Sequence, residues 1–559
     1  MLKKMKLKYH IIALIAFACT FSSCEKDLLT KNPLDSPSSE TFFSNQTEID
    51  IALTGAYRSF YWHSQRVPYI LWLDASTDIA WSRGDFGSML TAQGGQYTTE
   101  TDLFYEVWTH MFTAIAKANN ILDNMERAVD VVSPEYYADA QAQARFLRAY
   151  FYTYLIGLYG DVPWVDHILE LSNAHLPRTP KAEVLQHIYE DLDFAAENLP
   201  TTRPSTETGK VTKGAALALK ARAALWLDDF QTAAEAAKAV MDLGVYELYP
   251  SYQDLFQYKG ADSKESILSQ HYNIDVFVTQ VPRYLANREA AGYSALVPTQ
   301  TLVDMYRCTD GKPIDESPLY NPLKPFEHRD PRLDQSIVIP GEWINGLWFQ
   351  THPDSTKTFK QTANGITRVN NVEVTNAYAT FTGYLWNKYM DEADLPENIT
   401  QSSLPVMMIR YAEVLLTYAE AKIERNEIDQ SVVDAINQVR QRVGMPPVSL
   451  AGQEEMRNTV RYERTVELAL EGFRLFDIRR WHIAEHVMPG NVLGRRQKAH
   501  WFDPITPDID PYGHPIYPNE STIFQIISVN QFRKEKNYLW PIPQREINII
   551  PELTQNPGY

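Results

Sequence analysis

The chain has 559 residues, 44% hydrophobic and 22% charged, the balance of an ordinary globular protein. Its formal charge of −18 argues against binding nucleic acid or anionic lipid through the body, and three cysteines exclude a disulfide framework. Aromatic residues are abundant at 12%, with 12 Trp and 32 Tyr.

The first 23 residues carry four lysines (Lys3, Lys4, Lys6, Lys8) and no acids. Ile11–Thr20 is an apolar run too short to span a bilayer and suited to the core of a signal peptide. Phe21-Ser22-Ser23-Cys24 follows, small residues before a cysteine, similar to a bacterial lipoprotein box except that Phe21 stands where Leu is usual. The alternatives are a plain secretory signal, or cleavage before Cys19, where Phe17 fits less well. Cys24 is therefore expected to be the acylated N-terminus, residues 1–23 the leader, and the polar, Pro/Ser-rich residues 24–40 a flexible tether. Cys308 has no partner pattern and is expected as a core or loop thiol.

Helical periodicity then dominates. A short helix is predicted from about Glu48 to Ser59 and a long one over 103–127. Residues 68–100 are mixed, with loops at Gly84, Gly87, Gly94 and Gly95. Ser133-Pro134 reads as an N-cap with proline in the first turn, opening a helix that runs to Tyr159 and stops at Gly160. Thr179-Pro180 opens another, stopped at Pro200. Residues 211–244 form the clearest helix pair, with Leu219, Ala223 and Trp226 on the first helix, a turn at Asp228-Asp229, and Ala233, Ala237 and Val240 on the second. The same pattern returns at 409–444 and closes at Gly444 and Pro446-Pro447. Small residues on facing sides resemble tetratricopeptide units, which must stack to bury their faces; ordinary antiparallel helices are the alternative at this point. Between the pairs, about 245–405 lose helical period and become rich in Pro, Gly and aromatics, a loop-rich insertion where binding is expected to sit. Residues 485–538 are irregular as well.

Residues 461–482 are predicted as one helix that carries Glu463, Glu467 and Glu471 at four-residue spacing among Arg464, Arg474, Arg479 and Arg480. Like charges at that spacing repel, and buried carboxylates need partners. Val466, Leu470, Phe473 and Phe476 form one apolar face, and Leu468 and Leu475 add apolar surface elsewhere, so the helix is expected to be covered on most sides. The acids are therefore expected to be buried scaffold rather than an active site, paired with arginines of this helix, Arg474 among them, or with Arg145, Arg148 or Arg410.

Several blocks in order resemble the SusD/RagB family of Bacteroidetes outer-membrane lipoproteins. They are RFLRAYFYTYLIGLYGDVP at 145–163, the Ala-rich pair at 214–244, MIRYAEVLLTYAEAKIERN at 408–426 and INQVRQRVG at 436–444. ERTVELALEGFRLFDIRRW at 463–481 and the LWPIP and TQNPGY endings complete the series. The resemblance implies a mainly α, SusD-like fold: residues 41–559 as a single domain, a tetratricopeptide-like helix-pair scaffold with a long loop-rich insertion. It implies a non-catalytic lipoprotein, lipid-anchored in the outer membrane and facing the exterior, that passes a glycan to a SusC-like TonB-dependent transporter. An oligopeptide carried by a RagB-like protein is the alternative, and a surface glycoside hydrolase a more distant one.

The residues show no HExxH, no GxSxG, no P-loop, no GxGxxG and no Cys/His metal cluster, so no catalytic residue, metal or cofactor is assigned. Loop aspartates could take Ca2+, but no EF-hand spacing supports it. A sugar offers a C–H face to aromatic planes and hydroxyls to planar polar groups. On that chemistry the expected ligand contacts are Trp81, Arg83 and Asp85 in a Gly-rich loop and Tyr293, Trp343, Asn345 and Trp348 in the insertion, while Trp226 and Trp481 belong to the core. The Arg83-Gly84-Asp85 triplet is expected to be incidental as an integrin-type motif.

Overall fold

The computed structural model describes residues 42–559 except Asp85 and Leu171; Cys24 and the 24–40 tether lie outside the described residues. The scaffold is a series of packed helices: α1 (Gln46–Tyr57), α2 (Asp102–Asn124), α3 (Pro134–Tyr159), α4 (Lys181–Asn198), α5 (Lys213–Trp226) and α6 (Phe230–Asp242). After the insertion come α7 (Tyr411–Glu424), α8 (Gln430–Arg442), α9 (Gln453–Glu467) and the short α10 (Arg474–Arg480). Each helix from α2 to α6 packs on the next, and α6 packs on α7, so the scaffold runs unbroken across the excursion between them. The protein is mainly α, with helix pairs stacked in the manner of tetratricopeptide units.

Local chemistry sets these boundaries. Ser133 caps α3 by accepting from the Tyr136 amide at 3.2 Å, with Pro134 in the first turn. Gly160, at φ +75°, ends the helix in a conformation that favours glycine. Asp229 caps α6 by accepting from the Thr232 amide at 3.1 Å. Alanines let α5 sit close to its neighbours: Ala215, Ala216, Ala221 and Ala224 are all buried. At its end Trp226 stacks on Phe476, ring centroids 3.7 Å apart. Arg222 on α5 holds the Glu413 carboxylate of α7 with two hydrogen bonds, of 2.6 and 2.7 Å.

The stretch predicted as one helix over 461–482 is two. Helix α9 stops at Glu467, and Leu470 (φ +60°) and Gly472 (φ +79°) turn the chain before α10. Glycine is required at 472, because a Cβ there would lie 2.4 Å from the Ile70 carbonyl oxygen. The C-terminus folds back on α3, where the Asn556 side chain donates to the carbonyls of Tyr159 and Trp540 at 2.8 and 2.7 Å.

Short antiparallel strand pairs attach the insertion to the scaffold. They are β1 (Ala80–Ser82) with β3 (Leu296–Pro298), and β2 (Ser266–Gln270) with β10 (Val406–Arg410). A four-stranded sheet lies within the insertion: β5 (Trp343–Ile344), β6 (Leu347–Trp348), β7 (Lys357–Thr362) and β8 (Gly365–Asn370). Its neighbour is the pair β4 (Ile337–Val338) and β9 (Leu385–Trp386), and β11 (Gly490–Arg496) pairs with β12 (Phe524–Asn530).

Candidate functional site

The β5–β6 hairpin holds two aromatic side chains on a tight turn. Trp343 faces Trp348 and Ile344 faces Leu347 across a two-residue turn, Asn345-Gly346. Both turn residues have positive φ, +50° and +70°, as a type I′ turn demands. Side chains alternate along a strand, so this register puts both tryptophans on one face and Ile344 and Leu347 on the other. Leu347 is buried, and Ile344 packs against a satellite core of Trp81, Val297, Val338, Phe349, Leu385 and Val492. Trp343 is left 39% exposed, and the two indoles meet edge to face with centroids 5.5 Å apart. The hairpin thus presents an indole pair outward from a fixed base.

A second group is built around Tyr293. The Arg283 and Arg288 guanidiniums lie 4.5 and 5.9 Å from its ring centroid, and Arg83 donates to its carbonyl at 3.0 Å. Arg83 also lies 5.0 Å from the ring of Tyr378, which is exposed. Burial and the nearby Arg288 push the Arg83 guanidinium below its usual pKa. Among the described residues none of these three arginines has a carboxylate within 4.0 Å. The group connects to the tryptophan sheet through Lys360, which pairs with Leu347 in the strand register and forms a 2.6 Å ion pair with Glu289, next to Arg288. The Glu289 amide in turn donates to the buried Glu373 carboxylate at 3.0 Å. The result is aromatic planes flanked by planar donors, which can hold a ring.

A model of the SusD family matches residues 255–559, and a model described as starch-binding, associating with the outer membrane, matches residues 29–225. The chain belongs to the SusD family. SusD-like protein P2 of Formosa agariphila is 26% identical to it over the full length of both chains. A SusD-like protein of Bacteroides ovatus is 22% identical over 99% of this chain and 98% of its own. The crystal structure of a SusD-like carbohydrate-binding protein from Bacteroides fragilis superposes with a TM-score of 0.80 at 28% identity, covering 92% of this chain and 100% of the other. Surface glycan-binding protein A of Bacteroides fluxus shares the fold at a TM-score of 0.66 and 21% identity, covering 92% of this chain and 100% of its own.

In this SusD family member the expected site residues do not all meet. Trp343, Trp348 and the Arg83–Tyr293 contact lie as described above. Trp81 is corrected: it lies in β1, not in an exposed loop, and is only 6% exposed because β3 covers it and Phe381 packs against its ring. Asn345 forms the hairpin turn, its backbone supplying a positive φ beside the two tryptophans. Asp85 lies outside the described residues. Reasoning from sequence missed Tyr378, Arg283 and Arg288, whose segments carry no periodicity to mark which side chains turn outward.

The acids of the 463–471 stretch are buried among cations. Arg410 donates to Glu467 at 2.7 Å, to both oxygens of Glu471 at 2.7 and 2.8 Å, and to Glu265 at 2.8 Å. Glu463 pairs with Arg440 and lies 2.8 Å from Arg332, and Lys388 reaches Glu471 at 2.5 Å. Burial alone would raise Glu467, but Arg442, Arg410 and Arg332 outweigh it and hold the carboxyl far below the usual range. Three expected partners are corrected. Arg145 and Arg148 serve Asp191, at 3.6 and 2.7 Å, and Arg474 serves Asp78 at 2.6 Å.

Proposed function

We propose that this SusD family protein captures a glycan at the outer-membrane surface and passes it, chemically unchanged, to a SusC-like TonB-dependent transporter. The observation that carries the reading is the outward indole pair of Trp343 and Trp348 on a rigid hairpin, connected through Lys360 and Glu289 to the arginine-flanked Tyr293. Aromatic faces take the C–H surface of a sugar and guanidiniums its hydroxyls. Support comes from the family description of outer-membrane association and from relatives described as carbohydrate- or glycan-binding. Trp343, Trp348, Tyr293, Arg83 and Tyr378 are the proposed contacts, with residues 41–559 acting as one domain. Acylation of Cys24 would tether that domain through residues 24–40, facing the exterior.

A panel of glycans and oligopeptides tests this reading with the purified protein and with Trp343→Ala. Binding of one or more glycans, weakened by the substitution and without new reducing ends, is the expected result. Binding of peptides alone would overturn the cargo, and release of reducing ends would overturn the non-catalytic role. Cys24→Ala should release the protein from the membrane, and retention there would refute the anchor. Affinity capture of the membrane-extracted protein should retain a TonB-dependent barrel.

A further inference from the structure

A separate cleft opens between the 320–329 segment and the loop after β11. Its volume is about 200 Å3, below the ~300–1,000 Å3 of pockets for drug-sized ligands, so it has room for one small ring rather than a chain. Its lining shares no residue with the contacts proposed above for the Trp343–Tyr293 face.

Two features give the cleft its chemistry. The first is aromatic. Tyr320 and Phe326 line it from the 320–329 segment, and Trp501 and Phe502 from the loop after β11. That loop is pinned: Lys498 forms a 2.9 Å ion pair with Asp354, and Arg496 donates to the Asp503 carbonyl at 3.0 Å. His352 stacks on Phe502, centroids 5.4 Å apart, and meets Trp501 edge to face at 4.9 Å. Phe502 is nevertheless 76% exposed.

The second feature is charge. Arg329, Arg495 and Arg496 all line the cleft, and among the described residues none of them has a carboxylate within 4.0 Å. Arg329 donates to the carbonyls of Val303, Tyr306 and Pro325, and Arg496 to those of Asp503 and Ile505. Nη1 of Arg495 is buried and, among the described residues, has no hydrogen-bond partner. The acid of the lining, Asp304, already accepts from the Tyr517 hydroxyl at 2.7 Å and from Gln300 at 2.9 Å. The arginines of the 463–480 scaffold, by contrast, are mostly matched to acids. In a chain of net charge −18 this concave positive site would concentrate an anion.

We propose that the cleft between Tyr320 and Trp501 is a second binding site, which takes a single anionic sugar unit: the ring against the aromatic side chains, its carboxylate or sulfate on Arg495. A guanidinium fork suits either oxyanion.

The test uses the purified protein and three monosaccharides, glucuronate, glucose 6-sulfate and glucose, followed by calorimetry and by saturation-transfer NMR. One or both anionic sugars should bind, the better of the two identifying carboxylate or sulfate as the ligand group, and glucose should not. Arg495→Gln should weaken binding by about tenfold or more, and Arg495→Lys by less. Trp501→Ala should weaken it too, and Trp343→Ala should leave it unchanged. An unaltered melting temperature and retained glycan binding at the Trp343 face show that the Arg495 variants are folded. The proposal is overturned if neither anionic sugar binds, if glucose binds as tightly, or if Arg495→Gln binds like the parent. None of these results would affect the glycan reading of the Trp343 face.

Discussion

Arg410 holds Glu467 and Glu471 with one guanidinium, bridging the turn that ends α9. All three residues are buried, and Glu265 and Lys388 bring insertion residues into the same cluster. Removing the cation leaves carboxylates in the core with too few partners, which typically costs about 3–5 kcal/mol. Arg410→Met is expected to lower the unfolding free energy by an amount in that range and to reduce the yield of folded protein. Urea unfolding of the variant and the parent checks this. A loss below about 1 kcal/mol would mean that the remaining cations (Arg442, Arg332 and Lys388) suffice.

Stability should also depend on pH through buried acids of opposite behaviour. Burial raises Asp74 from its usual range to about 7, against the Gly472 amide that donates to it at 3.3 Å. A raised carboxyl binds its proton more tightly in the folded state. Its destabilising effect is therefore absent below the unfolded pKa near 4, grows between about 4 and 7, and is complete above. Glu420 has the opposite sign: burial would raise it, but Arg480 and Arg464 hold it at about 2. Its stabilisation is full above the unfolded pKa near 4.5 and is lost as pH falls toward 2. Asp74→Asn should flatten the fall in stability between pH 4 and pH 7 seen in denaturant titrations, by at most about 4 kcal/mol. The same slope in variant and parent would refute the assignment.

The helix pairs were legible because burial on a helix repeats every 3.6 residues, and the alanines of α5 and α6 mark close packing without any knowledge of the neighbour. The burial of the 463–471 acids was legible from their apolar surroundings. Of their partners, Arg410 was named from the sequence, whereas Arg332 and Lys388 were not, because both come from the insertion, more than 75 residues away in sequence for each contact. The break after Glu467 was missed because the apolar period runs on through Leu470 and Phe473, although Gly472 signals a stop. Trp81 looked exposed beside Gly84 and Gly87, yet β3, which covers it, begins at Leu296. The Asn345-Gly346 dipeptide is a hairpin signal that the reading of Asn345 as a ligand contact passed over, and it is this turn that fixes which way Trp343 points.

Trp81 and Trp343 should consequently separate stability from binding. Trp81→Ala empties part of the satellite core and is expected to cost about 3–5 kcal/mol. Trp343→Ala removes a half-exposed ring and should change the melting temperature little while weakening glycan binding. Thermal melts paired with binding isotherms for both variants decide the point. A stable Trp81→Ala that has lost binding would restore Trp81 as a contact residue.

The hairpin turn offers the most specific test of how the indole pair is presented. At Gly346 a new Cβ would approach Gln361 no closer than 3.6 Å, so space is not the obstacle. The obstacle is φ +70°, which costs an L-residue about 1–2 kcal/mol and a β-branched one more. Gly346→Val should therefore open the two-residue turn without disturbing the helical scaffold, which packs elsewhere. Trp343 and Trp348 would lose their edge-to-face contact, weakening the exciton couplet that the pair contributes to the circular dichroism spectrum, and glycan affinity should fall with it. Asn345→Gly is the control: glycine accepts positive φ, so the turn, the couplet and the affinity should all survive. If Gly346→Val lost the couplet but bound glycan like the parent, the hairpin would be excluded as the platform, and the contacts would have to come from Tyr293 and Tyr378.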